Sequence, residues 1–175
     1  EGYIPTLGLG TGITMQAGRF LSGLGYLNEQ HAHALDFSDA PLAYKAFFGN
    51  QLRGDGVQLK WVAPTDTFVE FGAEAGRGGA FPTADRNKNG FQTGTLFAHA
   101  GGDVGDSHSW RAGLSYLRAS PRDRLYEDPA NGTVNAFSGR SRTWVADVVW
   151  KWAPQGNASQ RSLTLQGEYF RRRED

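Results

Sequence analysis

The stretch Val57-Gln58-Leu59-Lys60-Trp61, with the returning stretch 69–76, decides the fold class of this chain. Apolar and polar residues alternate in both stretches, and Pro64-Thr65-Asp66 is a turn sequence between them. A two-residue period belongs to a β-strand with one apolar face, so these residues predict a tight antiparallel hairpin. Its apolar face consists of Val57, Leu59, Trp61, Val69, Phe71, Ala73 and Ala75.

The same alternation recurs along most of the sequence. It is clear at 13–17, 110–116, 144–152 and 163–169, and less regular at 93–102, where Leu96 and Phe97 are adjacent. These segments predict about eight strands. The segments between them alternate in length, with short links near 8–12, 64–66, 103–108 and 154–160 and long links near 21–54, 77–91 and 120–141. Short turns at one rim and long loops at the other are typical of outer-membrane barrels. We therefore expect an all-β, antiparallel up-and-down transmembrane β-barrel, or an eight-strand segment of a larger barrel.

Composition excludes several classes of function. The 175 residues contain no cysteine, which removes disulfide scaffolds and cysteine nucleophiles. Lys and Arg balance Asp and Glu at 18 each, so no excess positive charge favours nucleic acid. No nucleophile elbow, phosphate loop or metalloprotease helix is present. Glu70 and Glu74 would lie about 13 Å apart on one strand face, too far for glycosidase chemistry. We expect a protein that is not an enzyme and has no cofactor.

The alternation itself is compatible with two opposite arrangements. In a membrane barrel the aromatic residues near strand ends face lipid at the headgroup level. In a soluble β-sandwich or small β-barrel that binds a ligand or glycan, the same rings would form the core and the charged residues would face water. The aromatic residues that would face lipid in the first arrangement and form the core in the second are Trp61, Trp110, Trp144, Trp152 and Tyr169.

In the barrel arrangement, polar residues of the strands point into the lumen and line it with both signs of charge. Such a lining holds water, and its cross-strand charge pairs brace the wall. These predicted lumen-lining residues are Gln16, Lys60, Glu70, Glu74, Arg111, Asp147, Lys151, Gln166 and Glu168.

The long link 21–54 contains an amphipathic stretch, 38–48, that predicts one short helix. Ser38 is a capping residue, Pro41 fits the first turn, and Gly49-Asn50 follows as a stop. So many apolar groups must fold onto another surface, and we expect the lumen to provide it, as for a porin constriction loop. The residues expected to form this constriction are Asp39, Tyr44, Lys45, Phe47 and Phe48. His31 and His33, with the carboxylates of Glu29, Asp36 and Asp39, form a candidate metal site; the alternative is that these loop histidines are plain polar residues.

Four stretches carry a family resemblance: 18–33, 39–44, 56–66 and 165–172. They resemble Gram-negative outer-membrane β-barrel proteins in the style of phosphate-selective porins, sometimes labelled zinc-regulated TonB-dependent outer membrane receptors. Members of that family are longer, so the resemblance implies that 1–175 is a single barrel domain or segment, truncated at both ends. It also implies residence in the bacterial outer membrane, where the partners are the lipid bilayer, lipopolysaccharide, small solutes and, as a further candidate, copies of the same chain. No plug-domain-like segment occurs in these residues, so a porin-like role is favoured over a receptor-like one.

Overall fold

A computed structural model describes residues 7–8, 11–31, 39–83, 90–128 and 130–175, with only the backbone of 7–8. Within these ranges there are ten strands and one α-helix, and no helix is long and apolar enough to span a bilayer. The elements are β1 Leu7–Gly8, β2 Ile13–Leu21, α1 Leu42–Phe48, β3 Arg53–Val62, β4 Phe68–Gly76, β5 Thr93–Val104, β6 His108–Ala119, β7 Arg124–Glu127, β8 Val134–Phe137, β9 Ser141–Trp152 and β10 Leu163–Glu174.

Eight strands form one antiparallel sheet in the order β1-β2-β3-β4-β5-β6-β9-β10. Each strand pairs with its predecessor in this order, as expected where short turns alternate with longer loops. The all-β, antiparallel prediction is therefore confirmed. Among the described residues β1 and β10 do not pair with each other, so the sheet is open rather than a closed barrel.

The three long links leave the sheet at the same end, as the sequence predicts. Within the third, β7 and β8 form a separate two-stranded hairpin that the sequence analysis did not predict. Four-residue strands with mostly exposed side chains leave too weak an alternation to detect.

Helix α1 is shorter than the predicted stretch 38–48. Pro41 has an extended ψ of 148°, so it precedes the helix instead of lying in its first turn, and no side chain caps the helix start. The predicted cap, Ser38, lies outside the described residues. The predicted stop is confirmed, because Gly49 adopts a left-handed conformation with φ of 66° and donates its N–H to the carbonyl of Lys45.

The two faces of the sheet differ in what covers them. The apolar face is open to the surroundings, and several of its large side chains are about half exposed, including Leu96 at 59% and Leu114 at 53%. The polar face is covered by the link between β2 and β3, whose described parts are 22–31 and 39–52; we call it the covering loop. A small core forms where this loop meets β6, β9 and β10. Its buried members are Leu24, Tyr44, Phe48, Leu52, Leu117 and Val145.

All five tryptophans lie on the apolar face. The strand register places them on the same side of the sheet as Leu114 and Val148. They are Trp61, Trp110, Trp144, Trp150 and Trp152. They stack with neighbouring rings of the same face, as in Trp61 with Phe71 at 5.9 Å between ring centroids. In the described part of the chain, no second sheet packs over them.

Candidate functional site

The candidate functional site is the polar face of the sheet together with the covering loop. Cross-strand register brings the nine predicted lumen-lining residues to this one face, from Gln16 on β2 to Glu168 on β10. Asp147 is buried, whereas Lys151 and Gln166 are exposed. Their predicted role as the lining of a passage stays a prediction.

Glu74 on β4 fixes the beginning of the covering loop. Its Oε2 accepts a hydrogen bond from Ser22 Oγ at 2.6 Å, and its Oε1 accepts one from the backbone N–H of Gly23 at 2.8 Å. Gln58 on the neighbouring strand donates to the same Oε1 at 2.7 Å, which holds the carboxylate in place. Hydrogen bonds to an ionised carboxylate are about twice as strong as neutral ones, so this contact is a firm attachment.

Glu168 on β10 holds the next part of the loop from the opposite side. Its Oε1 accepts hydrogen bonds from the backbone N–H groups of Tyr26 at 2.6 Å and Leu27 at 3.1 Å, and from the hydroxyl of Tyr44 at 2.9 Å. Burial raises the pKa of Tyr44 far above its usual range, and the charge of Glu168 raises it further. The phenol therefore stays protonated and donates to the carboxylate throughout the physiological pH range.

Glu29, in the covering loop, is the third attachment and joins a network of charges. It lies 2.6 Å from Nη2 of Arg111 on β6 and 3.2 Å from Nζ of Lys60 on β3. Arg111 also contacts Nδ1 of His99 at 3.0 Å, and that nitrogen lies 3.2 Å from Glu70. Cations of the sheet thus neutralise a carboxylate of the loop and one of the sheet, which makes this a structural charge network.

The same network is the best geometric candidate for a metal among the described residues. Ligand atoms of Glu29, Glu70 and His99 lie within 4.8 Å of one another. Lys60 and Arg111 already supply positive charge to these groups, and a divalent cation would have to displace them. The donor set therefore fits a charge network better than a metal site. Of the sequence-predicted pair, His31 is exposed and His33 lies outside the described residues.

Among the buried polar atoms of the covered face that have no hydrogen-bond partner in the described residues, four belong to titratable groups. They are both carboxylate oxygens of Asp147, Nε2 of His99 and Oε2 of Glu168. His99 is 1% exposed and Asp147 is 5% exposed. Buried polar atoms of this kind are normally satisfied by water or a ligand, so the covered face offers binding positions for water or for a polar solute.

Asn28 ties the two ends of the covering loop together. Its Nδ2 donates to the carbonyls of Ser22 at 2.8 Å and Leu52 at 2.9 Å, and its Oδ1 accepts from the N–H of Leu52 at 2.7 Å. The side chain is fully buried. The loop therefore begins and ends at one fixed point, directly after β2 and before β3.

The predicted constriction residues divide into two groups. Tyr44 and Phe48 are buried and Phe47 is half-buried, and all three rings contact Phe170 of β10 at centroid distances of 5.3 to 5.9 Å. Asp39 and Lys45 form an exposed ion pair of 3.0 Å. Helix α1 is thus held to the sheet by its aromatic side.

Two important residues of this site, Phe97 and His99, were not predicted, and Glu29 was predicted only as one of the carboxylates near His31 and His33. Glu29 lies in a loop, where no period identifies its direction. Phe97 and His99 face the loop and stack at 5.1 Å, yet their strand has the least regular alternation in the chain. Knowledge of the strand register would have placed Phe97 and His99 on the polar face, since Glu70 is paired with His99 and Gly72 with Phe97.

Comparisons with known proteins find a relative but no matching family. No family model matches the sequence, and no solved structure matches it. The chain is 34% identical over 189 residues to a protein of Aquifex aeolicus (strain VF5) that is named only as an uncharacterized protein. That match covers the whole of this chain and 39% of the relative, so the chain spans well under half of the relative's length.

Proposed function

We propose that this chain forms part of the wall of a porin-like outer-membrane β-barrel, with its apolar face against lipid. The covering loop then lies inside the barrel and narrows a water-filled passage for small polar solutes. The observation that carries the proposal is the assignment of faces. Indole rings occupy the open face, whereas the charged residues of the sheet lie on the covered face, except at the long-loop end.

The apolar face supports contact with lipid. Soluble monomers rarely expose contiguous apolar patches of more than a few hundred Å². Here apolar side chains of seven neighbouring strands are exposed together, and the sheet ends are rich in aromatic rings, as in the girdles of membrane barrels. The exposed members include Met15, Leu59, Trp61, Phe71, Leu96, Leu114, Trp144, Val148, Leu165 and Tyr169.

The polar face supports a passage. Its lining has both signs of charge, carries polar atoms without protein partners, and is crossed by a loop held by three carboxylates. A lining of fixed charges that hydrates a narrow pore is the usual basis of solute selectivity. The soluble β-sandwich alternative requires a second sheet over the tryptophans, and the described residues contain no such layer.

Single cysteines test the assignment of faces directly, because the sequence has none of its own. Leu114→Cys and Val148→Cys place a thiol on the apolar face, Lys151→Cys places one on the polar face, and Ala158→Cys is an exposed control in the link before β10. Each variant of the complete gene product is expressed in a Gram-negative host and labelled in intact membranes with a water-soluble maleimide.

We expect the thiols at 114 and 148 to resist the water-soluble reagent and to react with a lipid-soluble one. The thiols at 151 and 158 should react with both, since one faces the passage and the other an aqueous turn. Equal labelling of all four positions by the water-soluble reagent would contradict the membrane arrangement and favour the soluble alternative.

A further inference from the structure

The open face changes character at the end of the sheet where the long loops emerge. There the outward side chains of β6, β9 and β10 are arginines instead of apolar residues. Arg118 is directly opposite Arg142, and Arg142 is directly opposite Arg173. Arg171 lies opposite Trp144 in the neighbouring row. We call these four side chains the arginine cluster.

This arrangement is electrostatically unfavourable in the protein alone. Like charges that are directly opposite on neighbouring strands repel each other. Of these four arginines, only Arg142 has an acidic partner in the described part of the chain, Asp175 at 3.1 Å, and that contact is exposed. Arg118, Arg171 and Arg173 are exposed and have no ion-pair partner among the described residues. Three adjacent strands therefore present a concentration of positive charge that an external anion would neutralise.

The cluster is continuous with an apolar groove. Arg142, Arg171 and Arg173 line a cleft of about 240 Å³ together with Trp144. Trp144 also lines a shallow groove of about 660 Å³ farther along the same face. Other residues of the groove are Leu59, Trp61, Phe71, Leu96, Leu114 and Tyr116. The cationic cleft and the apolar groove thus meet at the side chain of Trp144.

We propose that the arginine cluster and this groove together bind a phosphorylated glycolipid of the outer leaflet, the lipid A part of lipopolysaccharide. Guanidinium groups bind phosphate oxygens in a bidentate manner, and the adjoining groove accepts an acyl chain. This inference rests on the proposed function, because the long-loop end of a barrel wall lies at the outer leaflet. A free phosphate ion would use the cleft but leave the groove empty, so the apolar groove favours a lipid.

The test removes two positive charges from the arginine cluster and compares lipid A binding with that of a variant that lacks two arginines elsewhere. Arg171→Gln/Arg173→Gln is the test variant. Arg122→Gln/Arg161→Gln is the control, since both control arginines are exposed and lie in links between strands. Protein is extracted from the outer membrane and moved into fresh detergent, and the lipid A retained per protein molecule is measured by mass spectrometry.

We expect the unaltered and control proteins to retain lipid A. The test variant should retain about tenfold less, because two exposed charge–charge contacts of modest strength are missing. Added purified lipid A should raise the melting temperature of the unaltered and control proteins, whereas millimolar inorganic phosphate should not. Equal retention by all three proteins, or a melting shift that phosphate reproduces in full, would overturn the proposal.

A second measurement separates this inference from the proposed function. All five tryptophans face the groove side, so brominated phospholipids should quench their fluorescence in every variant if the sheet is in a bilayer. Quenching with no difference in lipid A retention contradicts only the lipid A site. Absence of quenching in the unaltered protein contradicts the membrane arrangement and the lipid A site with it.

Discussion

Replacing Asn28 with alanine should release the covering loop while leaving the sheet intact. The amide of Asn28 makes three hydrogen bonds at the base of the loop and is fully buried, so water cannot replace it. In the variant, the N–H of Leu52 and the carbonyl of Ser22 lose their partners. The carbonyl of Leu52 keeps one, because the N–H of Ser22 also donates to it at 3.0 Å.

The two backbone groups that lose their hydrogen-bond partners determine the expected loss of free energy in the closed loop. Each buried, unsatisfied group costs about 1 to 3 kcal/mol, so the closed state of the loop should lose about 4 kcal/mol. Since 1.4 kcal/mol corresponds to a factor of ten, the opening equilibrium should rise by about three orders of magnitude. Asn28→Asp should be at least as damaging, because its second carboxylate oxygen would face the two carbonyls that the amide now serves.

Hydrogen exchange measures this opening locally. Amides at the base of the covering loop should exchange about a thousandfold faster in the variant, whereas amides of β6 and β9 should keep their protection. Asn157→Ala is the control, because its side chain accepts one exposed hydrogen bond, from the N–H of Ser159. Less than a tenfold change at Leu52, or a change as large in the control, would refute the role assigned to Asn28.

Three further substitutions test other parts of the structure. Tyr44→Phe should cost about 1 to 3 kcal/mol in chemical denaturation, because a buried hydrogen bond to a carboxylate is lost, while exposed Tyr169→Phe should be nearly neutral. Gly72→Ala should cost about 1 to 3 kcal/mol, because its Cβ would overlap a phenylalanine ring, whereas Gly167→Ala meets open space and should not destabilise the fold. Leu114→Arg should cost about 2 to 4 kcal/mol in lipid, measured by refolding into vesicles, but almost nothing if this face is in water.

The strands were predictable because their alternation is a local property of the sequence. In the hairpin of β3 and β4 the predicted apolar face is the observed one, with Val57 opposite Ala75 and Trp61 opposite Phe71. The alternating lengths of the links were predictable for the same reason. The expectation had two alternatives, a closed barrel or an eight-strand segment of a larger one. Closure is not present among the described residues, and it depends on the pairing of strands far apart in sequence.

The contacts of the site were not predictable from local pattern. Glu168 contacts Tyr26 over 142 positions of sequence and Glu29 contacts Arg111 over 82, and no period relates residues so far apart. The predicted start of helix α1 was wrong for a different reason. Proline is compatible both with the first helical turn and with the extended residue before a helix, and the extended form is found at Pro41.

Glycines of the polar face explain how a sheet can carry both large side chains and a loop on one side. A Cβ at Gly72 would overlap the ring of Phe97, and one at Gly113 would overlap the carboxylate of Asp147. Each missing side chain therefore provides the space that a ring or charged group on the next strand occupies. The polar face holds its charges close to the backbone, where loop amides reach them. Such spaces would be costly in a dry core of packed aliphatic side chains, but they suit a lining whose partners are water, charge and a folded-in loop.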